Sequence, residues 1–336
     1  MIDEGCLFFE FYGLKLFLTI VNVKSNSYRV LFTEKKMEEI NFISVDFDFF
    51  VWNGLESKDD DVKIFLPETG NITSIPNVYL FDWGHSESWH PDLQSIIWQT
   101  RYNEFLRVGI DPIKVCDAHS EKGTVSLDGF FDALSRRFNL CSSHKFFYAD
   151  SHAHGYSALR ETQSFTGEPV RVVHFDAHAD LGYSSDSIKK EKEKNVLDCG
   201  SWLWHAIDIG LVESVSVVYP DWRDLNEFTS SNGGWCPPNH ICELESEGRV
   251  SFTNWSEWLR CGESSSSIDT VFACRSSAWT PPWLDVQAER LFDLFSSKEF
   301  SLCLDCDNSF PNIGGYDACK RRDFVAESFP TSSAPS

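Results

Sequence analysis

Between Arg171 and Tyr183 the chain reads RVVHFDAHADLGY, so Asp176, His178 and Asp180 fall at alternate positions directly after an apolar run. Two other stretches repeat the theme. YADSHAHGY carries His152 and His154, and LCLDCDNSF carries Asp305 and Asp307. Carboxylates and imidazoles are the donors that hard and borderline divalent cations take. Burying such groups is costly unless something neutralises them. Two cations held close together repel each other and need several carboxylates, some of them bridging. One histidine, then D-x-H-x-D, then D-x-D supplies that set. A divalent ion makes a nucleophile of water at neutral pH, which suits the hydrolysis of a poor electrophile.

A further acid pair, Asp46 and Asp48, stands in FISVDFDFFV. It could serve as the metal D-x-D in place of Asp305 and Asp307. It could also belong to a substrate-side element with DWGHSE. Bland readings stand beside these. DAHAD could be a helix-capping aspartate among surface polars, and DCD an ordinary strand end with turn acids. The scattered histidines His119, His144, His174 and His240 are read as structural or exposed. The tryptophan-rich segments are read mainly as core, with Trp279 beside PPW the candidate exception.

Positioning these groups falls to the elements that precede them. Apolar runs at 42–51, 77–83, 145–150, 170–176, 214–220, 269–274 and 300–305 predict strands. Helical spacing predicts helices over 93–108, 126–138, the WLWHAIDIG segment and DVQAERLFDLFSS. Strands alternating with helices imply an α/β fold with a mostly parallel sheet flanked by helices. In open sheets of that kind, sites lie at the carboxyl ends of strands, and each acid cluster follows a strand. The run KKEKEKN at 189–195 predicts an exposed surface.

The whole chain sets bounds. Its 336 residues are 42% hydrophobic and 15% aromatic, enough for a substantial core. A net charge of −22 disfavours nucleic acid as partner, since phosphate contacts need clustered Lys and Arg. Eleven cysteines, an odd number, read as reduced thiols in a cytoplasm. The spacing of Cys303 and Cys306 lacks the second pair that a four-thiolate zinc site needs. The N-terminal apolar stretch has Asp3 and Glu4 where a signal needs positive charge, and Glu10 and Lys15 interrupt it. It is read as neither signal nor membrane span. Met37 opens MEEINFISVDFDFF like a natural start, so residues 1–36 are expected to be an extension, 37–323 the main domain and 324–336 a disordered tail.

The D-A-H-x-D motif, with a preceding histidine and a late D-x-D, resembles the arginase and ureohydrolase superfamily, whose members bind two manganese ions. The resembling segments, from VDFDFF to LCLDCDNSF, span residues 44–310. The wider pattern is similar to the peptide arginases of ribosomal peptide natural-product pathways. The resemblance implies a three-layer arginase-like fold and two Mn2+ ions held by His152 (or His154), Asp176, His178, Asp180, Asp305 and Asp307. In the family's order the D-x-D comes late, which favours Asp305 and Asp307 over Asp46 and Asp48. Asp180 would also accept a hydrogen bond from the nucleophilic water. Glu87, Asp198 and Asp285 are candidates to hold a guanidinium, and His205 and His85 to shuttle a proton. The family's G-G-D-H-S is missing, and the late motif lacks the usual aspartate-proline, so an ordinary free-arginine arginase is not expected.

The implied reaction is hydrolysis of arginine side chains in a precursor peptide, giving ornithine and urea, with no nucleic acid or membrane involved and the oligomeric state left open. Three alternatives are carried. One is a zinc-dependent deacetylase or amidohydrolase on the same fold. Another is a haloacid-dehalogenase-like phosphatase using Asp46 as nucleophile and Asp48 as acid/base. That reading leaves DAHAD without a role and puts Phe50 where Thr or Val is preferred. The last is a binding protein that kept the fold.

Overall fold

A computed structural model of the chain describes residues 42–51, 125–139, 144–223, 239–261, 266–277, 279–296 and 301–303. It also describes strand or helical segments at 5–11, 14–23, 27–34, 62–66, 71–75, 98–100, 102–103 and 106. The chain divides into two compact units, Met1–Ile40 and Asn41–Ser336. In the first, Gly5–Phe11, Leu14–Val23 and Ser27–Glu34 form a three-stranded antiparallel sheet.

The second unit is built on seven parallel strands. They are β1 (Phe42–Asp46), β2 (Lys145–Ala149), β3 (Val170–Phe175), β4 (Val212–Tyr219), β5 (Val250–Asn254), β6 (Thr270–Cys274) and β7 (Ser301–Cys303). Their order across the sheet is β5-β4-β3-β1-β6-β2-β7, with every pairing parallel. The first strand of the sheet in sequence therefore sits at its middle, between β3 and β6. All five residues of β1 and all five of β6 are buried, as continuous apolar runs require when a parallel sheet is covered on both faces.

The covering helices are α1 (Leu127–Arg137), α2 (Gly155–Thr166), α3 (Ser185–Lys194), α4 (Trp202–Asp208), α5 (Asn239–Ser246), α6 (Trp255–Arg260) and α7 (Asp285–Phe295). On one face Phe42, Phe147, Val170 and Val172 share a core with Ala158 and Leu159 of α2 and with Trp202, Leu203 and Ile207 of α4. On the other face Phe175 meets Phe130 of α1 edge-on and packs against Trp255 of α6, while Phe295 of α7 stacks on Phe146. Strand alternation makes this division: Phe146 and Phe147, neighbours in sequence, point to opposite layers. The result is an α/β three-layer sandwich. No helix among the described residues is long and apolar enough to cross a membrane.

Several elements differ from the sequence expectation. The strand expected over 42–51 ends at Asp46, and Phe47–Phe50 turns into a short 3-10 helix that Asp46 caps. Residues 62–66 and 71–75 pair as antiparallel strands, for which the sequence pattern carried no expectation. The charged run at 189–195 lies mostly on α3, opened by a Ser184–Ser187 capping box and closed by Asn195 in the left-handed region. The strand expected at 77–83 lies outside the described residues.

Candidate metal centre

Parallel strands all deliver their carboxyl ends to one edge, and there the polar groups gather. Asp46 ends β1 and Asp48 follows in its 3-10 turn. His152 opens the turn after β2, and Asp176, His178 and Asp180 follow β3. His152 Nδ1 lies 2.8 Å from Asp46 Oδ2, 3.0 Å from Asp176 Oδ2 and 3.1 Å from Asp180 Oδ2. His178 Nδ1 lies 2.9 Å from Asp48 Oδ2 and 3.4 Å from Asp176 Oδ1. Asp176 therefore stands between two groups of donors, one around His152 and one around His178.

Three of the carboxylates share a pattern: one oxygen is anchored and the other faces the cluster. Asp46 Oδ1 accepts the Asp48 amide at 3.0 Å, Asp48 Oδ1 the Ala177 amide at 3.2 Å and Asp176 Oδ1 the His178 amide at 2.6 Å. Asp48 Oδ2, Asp176 Oδ2 and His152 Nδ1 are buried and have no hydrogen-bond partner among the described residues. Buried polar atoms are normally paired. Carboxylate oxygens and ring nitrogens within 3.4 Å of one another, three of them unpaired, are donors converging on a shared space, the arrangement a cation takes. Three overlapping sets have this character: His152, His174, Asp176 and Asp180; Asp46, His152 and Cys274; Asp48, Asp176 and His178.

A second layer fixes these ligands. His152 Nε2 is hydrogen-bonded to Ser44 Oγ at 2.9 Å, which leaves Nδ1 to the carboxylates. Trp202 Nε1 donates to Asp180 Oδ2 at 2.6 Å. Ser276 Oγ donates to Asp46 Oδ2. Asp180 and Ser276 both have positive φ, 52° and 49°, a conformation of single residues that the surroundings must hold in place.

The electrostatics follow from burial and crowding. Burial opposes charge on His152 and His178, but the carboxylates outweigh it. Asp46 and Asp180 hold His152 well above its ordinary pKa, and Asp48 and Asp176 push His178 up to about 10. Burial would raise Asp176 as well, yet His174, then His152 and His178, hold it well below the usual carboxylate range. Asp48 is raised well above that range by burial and by the charges of Asp176 and Asp46. Asp180 is raised by burial and by Asp176.

Other expected site residues fall as follows. Asp305, Asp307, Glu87 and His85 lie outside the described residues. His154 is buried in the same turn as His152 but belongs to none of the donor groups. Asp285 accepts from Arg275 Nε at 2.6 Å, so its carboxylate already holds an internal guanidinium. Asp198 accepts the Gly200 amide at 2.9 Å, and burial raises its pKa. His205 pairs with Glu191 Oε2 at 2.9 Å rather than joining the donor groups. Trp279, half-buried, lies 4.9 Å from His178, ring centre to ring centre.

Asp46, Asp48 and His174 stand inside the cluster. For His174 the signal was available: it lies two residues before Asp176 and so shares its strand face. His144 and His240, by contrast, satisfy Nε2 on the carbonyls of Phe295 and Leu181 and are structural.

The model of the arginase family matches residues 149–230, the stretch that carries His152, Asp176, His178 and Asp180. Neither a curated protein nor a solved structure matches the chain. The family match and the buried histidine and aspartate groups fit a metal-dependent ureohydrolase with a binuclear site.

Proposed function

Taking the chain as a member of the arginase and ureohydrolase superfamily, we propose that it is a dimanganese hydrolase acting on arginine side chains of a peptide, with ornithine and urea as products. One observation carries the reading: four aspartates and two histidines from the ends of β1, β2 and β3 turn carboxylate oxygens and ring nitrogens toward one another in two groups that share Asp176, and three of those atoms, on Asp48, Asp176 and His152, are buried without a hydrogen-bond partner among the described residues. His152, Asp46, Asp176 and Asp180 would hold one ion, and His178, Asp48 and Asp176 the other. Such ions supply a nucleophile from water at neutral pH.

The chain's own residues do the rest. Ser44 and Trp202 keep His152 and Asp180 in register. Trp279 beside His178 offers an aromatic face on which a guanidinium can rest, a cation–π contact worth about 0.5–2 kcal/mol. A peptide rather than free arginine is favoured by the missing G-G-D-H-S segment and the late motif without its aspartate-proline, both departures from the ordinary free-arginine enzymes. The catalytic unit is residues 37–323, with 1–36 an extension, and the protein acts in the cytoplasm.

The test is metal content of the purified protein together with urea release from an arginine-containing peptide and from free arginine. Two manganese ions per chain and urea from the peptide alone support the reading. Metal without urea from either substrate moves the function to deacetylation or another amide hydrolysis on this fold. A protein that takes up no divalent ion overturns it.

A further inference from the structure

His174 sits on β3 with its side chain fully buried, and neither ring nitrogen has a hydrogen-bond partner among the described residues. A buried imidazole left in that state is costly. Its Nε2 lies 3.0 Å from Asp176 Oδ2 and 3.8 Å from Asp180 Oδ2, and Asp176 Oδ2 is itself unpaired. Those same two oxygens lie 3.0 and 3.1 Å from His152 Nδ1. The two rings are 5.0 Å apart, and both pack on Trp202.

The spacing is compatible with a shared ion. Donors about 2.0–2.2 Å from one ion stand roughly 2.8–3.6 Å from each other, the value rising as the coordination number falls. Three of the four separations here are 3.0–3.1 Å, and the fourth, 3.8 Å, lies just beyond that span. A simple hydrogen bond from His174 to Asp176 would explain one distance but not the convergence of four potential ligand atoms, from His152, His174, Asp176 and Asp180, within 4.8 Å of one another.

We infer that His174 is itself a ligand of the ion placed at His152, Asp46, Asp176 and Asp180, so that this position offers two imidazoles and three carboxylates. The inference rests on the metal-centre reading above and adds a ligand to it. The position around Asp48, Asp176 and His178 keeps one imidazole. The two positions therefore differ in preference: the added imidazole favours borderline ions such as zinc or cobalt, while the position with a single imidazole remains suited to manganese.

The experiment uses the full chain loaded with zinc alone, first at one equivalent and then at two. X-ray absorption at the zinc edge counts imidazoles per ion. Two imidazoles at the first equivalent, falling to a mean below two at the second, is the expected result. One imidazole per ion throughout overturns the inference while leaving the binuclear reading intact, whereas a chain that takes up no ion overturns both. In chelator competition, His174→Ala should weaken the tighter zinc by at least ten- to a hundredfold, the range lost even for an outer partner, and leave the weaker site within about threefold. Unchanged zinc affinity in folded His174→Ala assigns the residue to packing and overturns the inference. Should that variant not fold, the imidazole count on the unaltered chain decides.

Discussion

Oδ2 of Asp46 lies 2.8 Å from Nδ1 of His152, although the strands that carry them, β1 and β2, are separated in the sheet by β6. Two side chains from non-adjacent strands meet because both project from the same edge and lean over the end of β6, where Ser276 fastens Asp46. This contact brings the early acid pair into the metal centre.

Asp46→Asn and Asp48→Asn should each cost one ion its tight binding, by more than about a hundredfold, which exceeds the loss typical of outer partners. The Asp305→Asn and Asp307→Asn variants form the comparison. Ion stoichiometry by native mass spectrometry reads the result. Full stoichiometry in Asp46→Asn with loss in Asp305→Asn would return the D-x-D role to the later pair.

Ser44 acts through His152. Its hydroxyl holds Nε2 at 2.9 Å and so fixes which nitrogen faces the carboxylates. Ser44→Ala should weaken the ion on His152 by about ten- to a hundredfold without altering the His178 position. A chelator titration that separates the two ions checks this, and equal weakening at both would point to a general packing defect instead.

Much of this arrangement was legible in the sequence, because continuous apolar runs ending in acids identify buried parallel strands and place their chemistry at the carboxyl edge. DAHAD and His152 were found that way. The place of Asp46 and Asp48 was not legible. An acid pair after an apolar strand joins Asp176 and His178 only if its strand lies close to β3, and β1 is paired with it. Strand order depends on long-range pairing, which local pattern does not encode. His174 was passed over because an apolar neighbourhood reads as core, yet a strand end puts core and site on the same face. The pairing of Asp285 with Arg275 was invisible for a related reason, since a chain folding back after β6 sets it.

Gly155 and Trp202 make a second test of the supporting shell. A Cβ on Gly155 would stand 2.7 Å from the Trp202 ring, and that ring carries the donor that holds Asp180. Gly155→Ala should destabilise the fold by about 1–3 kcal/mol through overpacking. Trp202→Phe, which keeps the ring's bulk approximately but removes the N–H, should cost about 1.5–3 kcal/mol for a bond to a charged group. Urea unfolding of the ion-free proteins measures both. A Gly155→Ala variant as stable as the parent would mean that Trp202 moves aside freely and does not fix Asp180.

Ions and protons compete for the same atoms, and the sign of that competition can be worked out from His178. Its pKa is pushed from an ordinary value of 6.5 up to about 10 by Asp48 and Asp176 against the effect of burial. The imidazolium pairing therefore stabilises the ion-free fold fully below about 6.5, and this contribution is lost as pH rises toward 10. Coordination needs the neutral ring, so ion uptake at pH 7 should release a proton, and apparent affinity should rise with pH across this window. Calorimetry in buffers of different ionisation enthalpy counts the released protons. Thermal unfolding gives the companion result: the ion-free chain should lose stability between neutral pH and about pH 10, while the ion-loaded chain loses less because the cation takes the place of the proton between Asp48, Asp176 and His178. Uptake without proton release at pH 7 would show that His178 is already neutral in the ion-free protein.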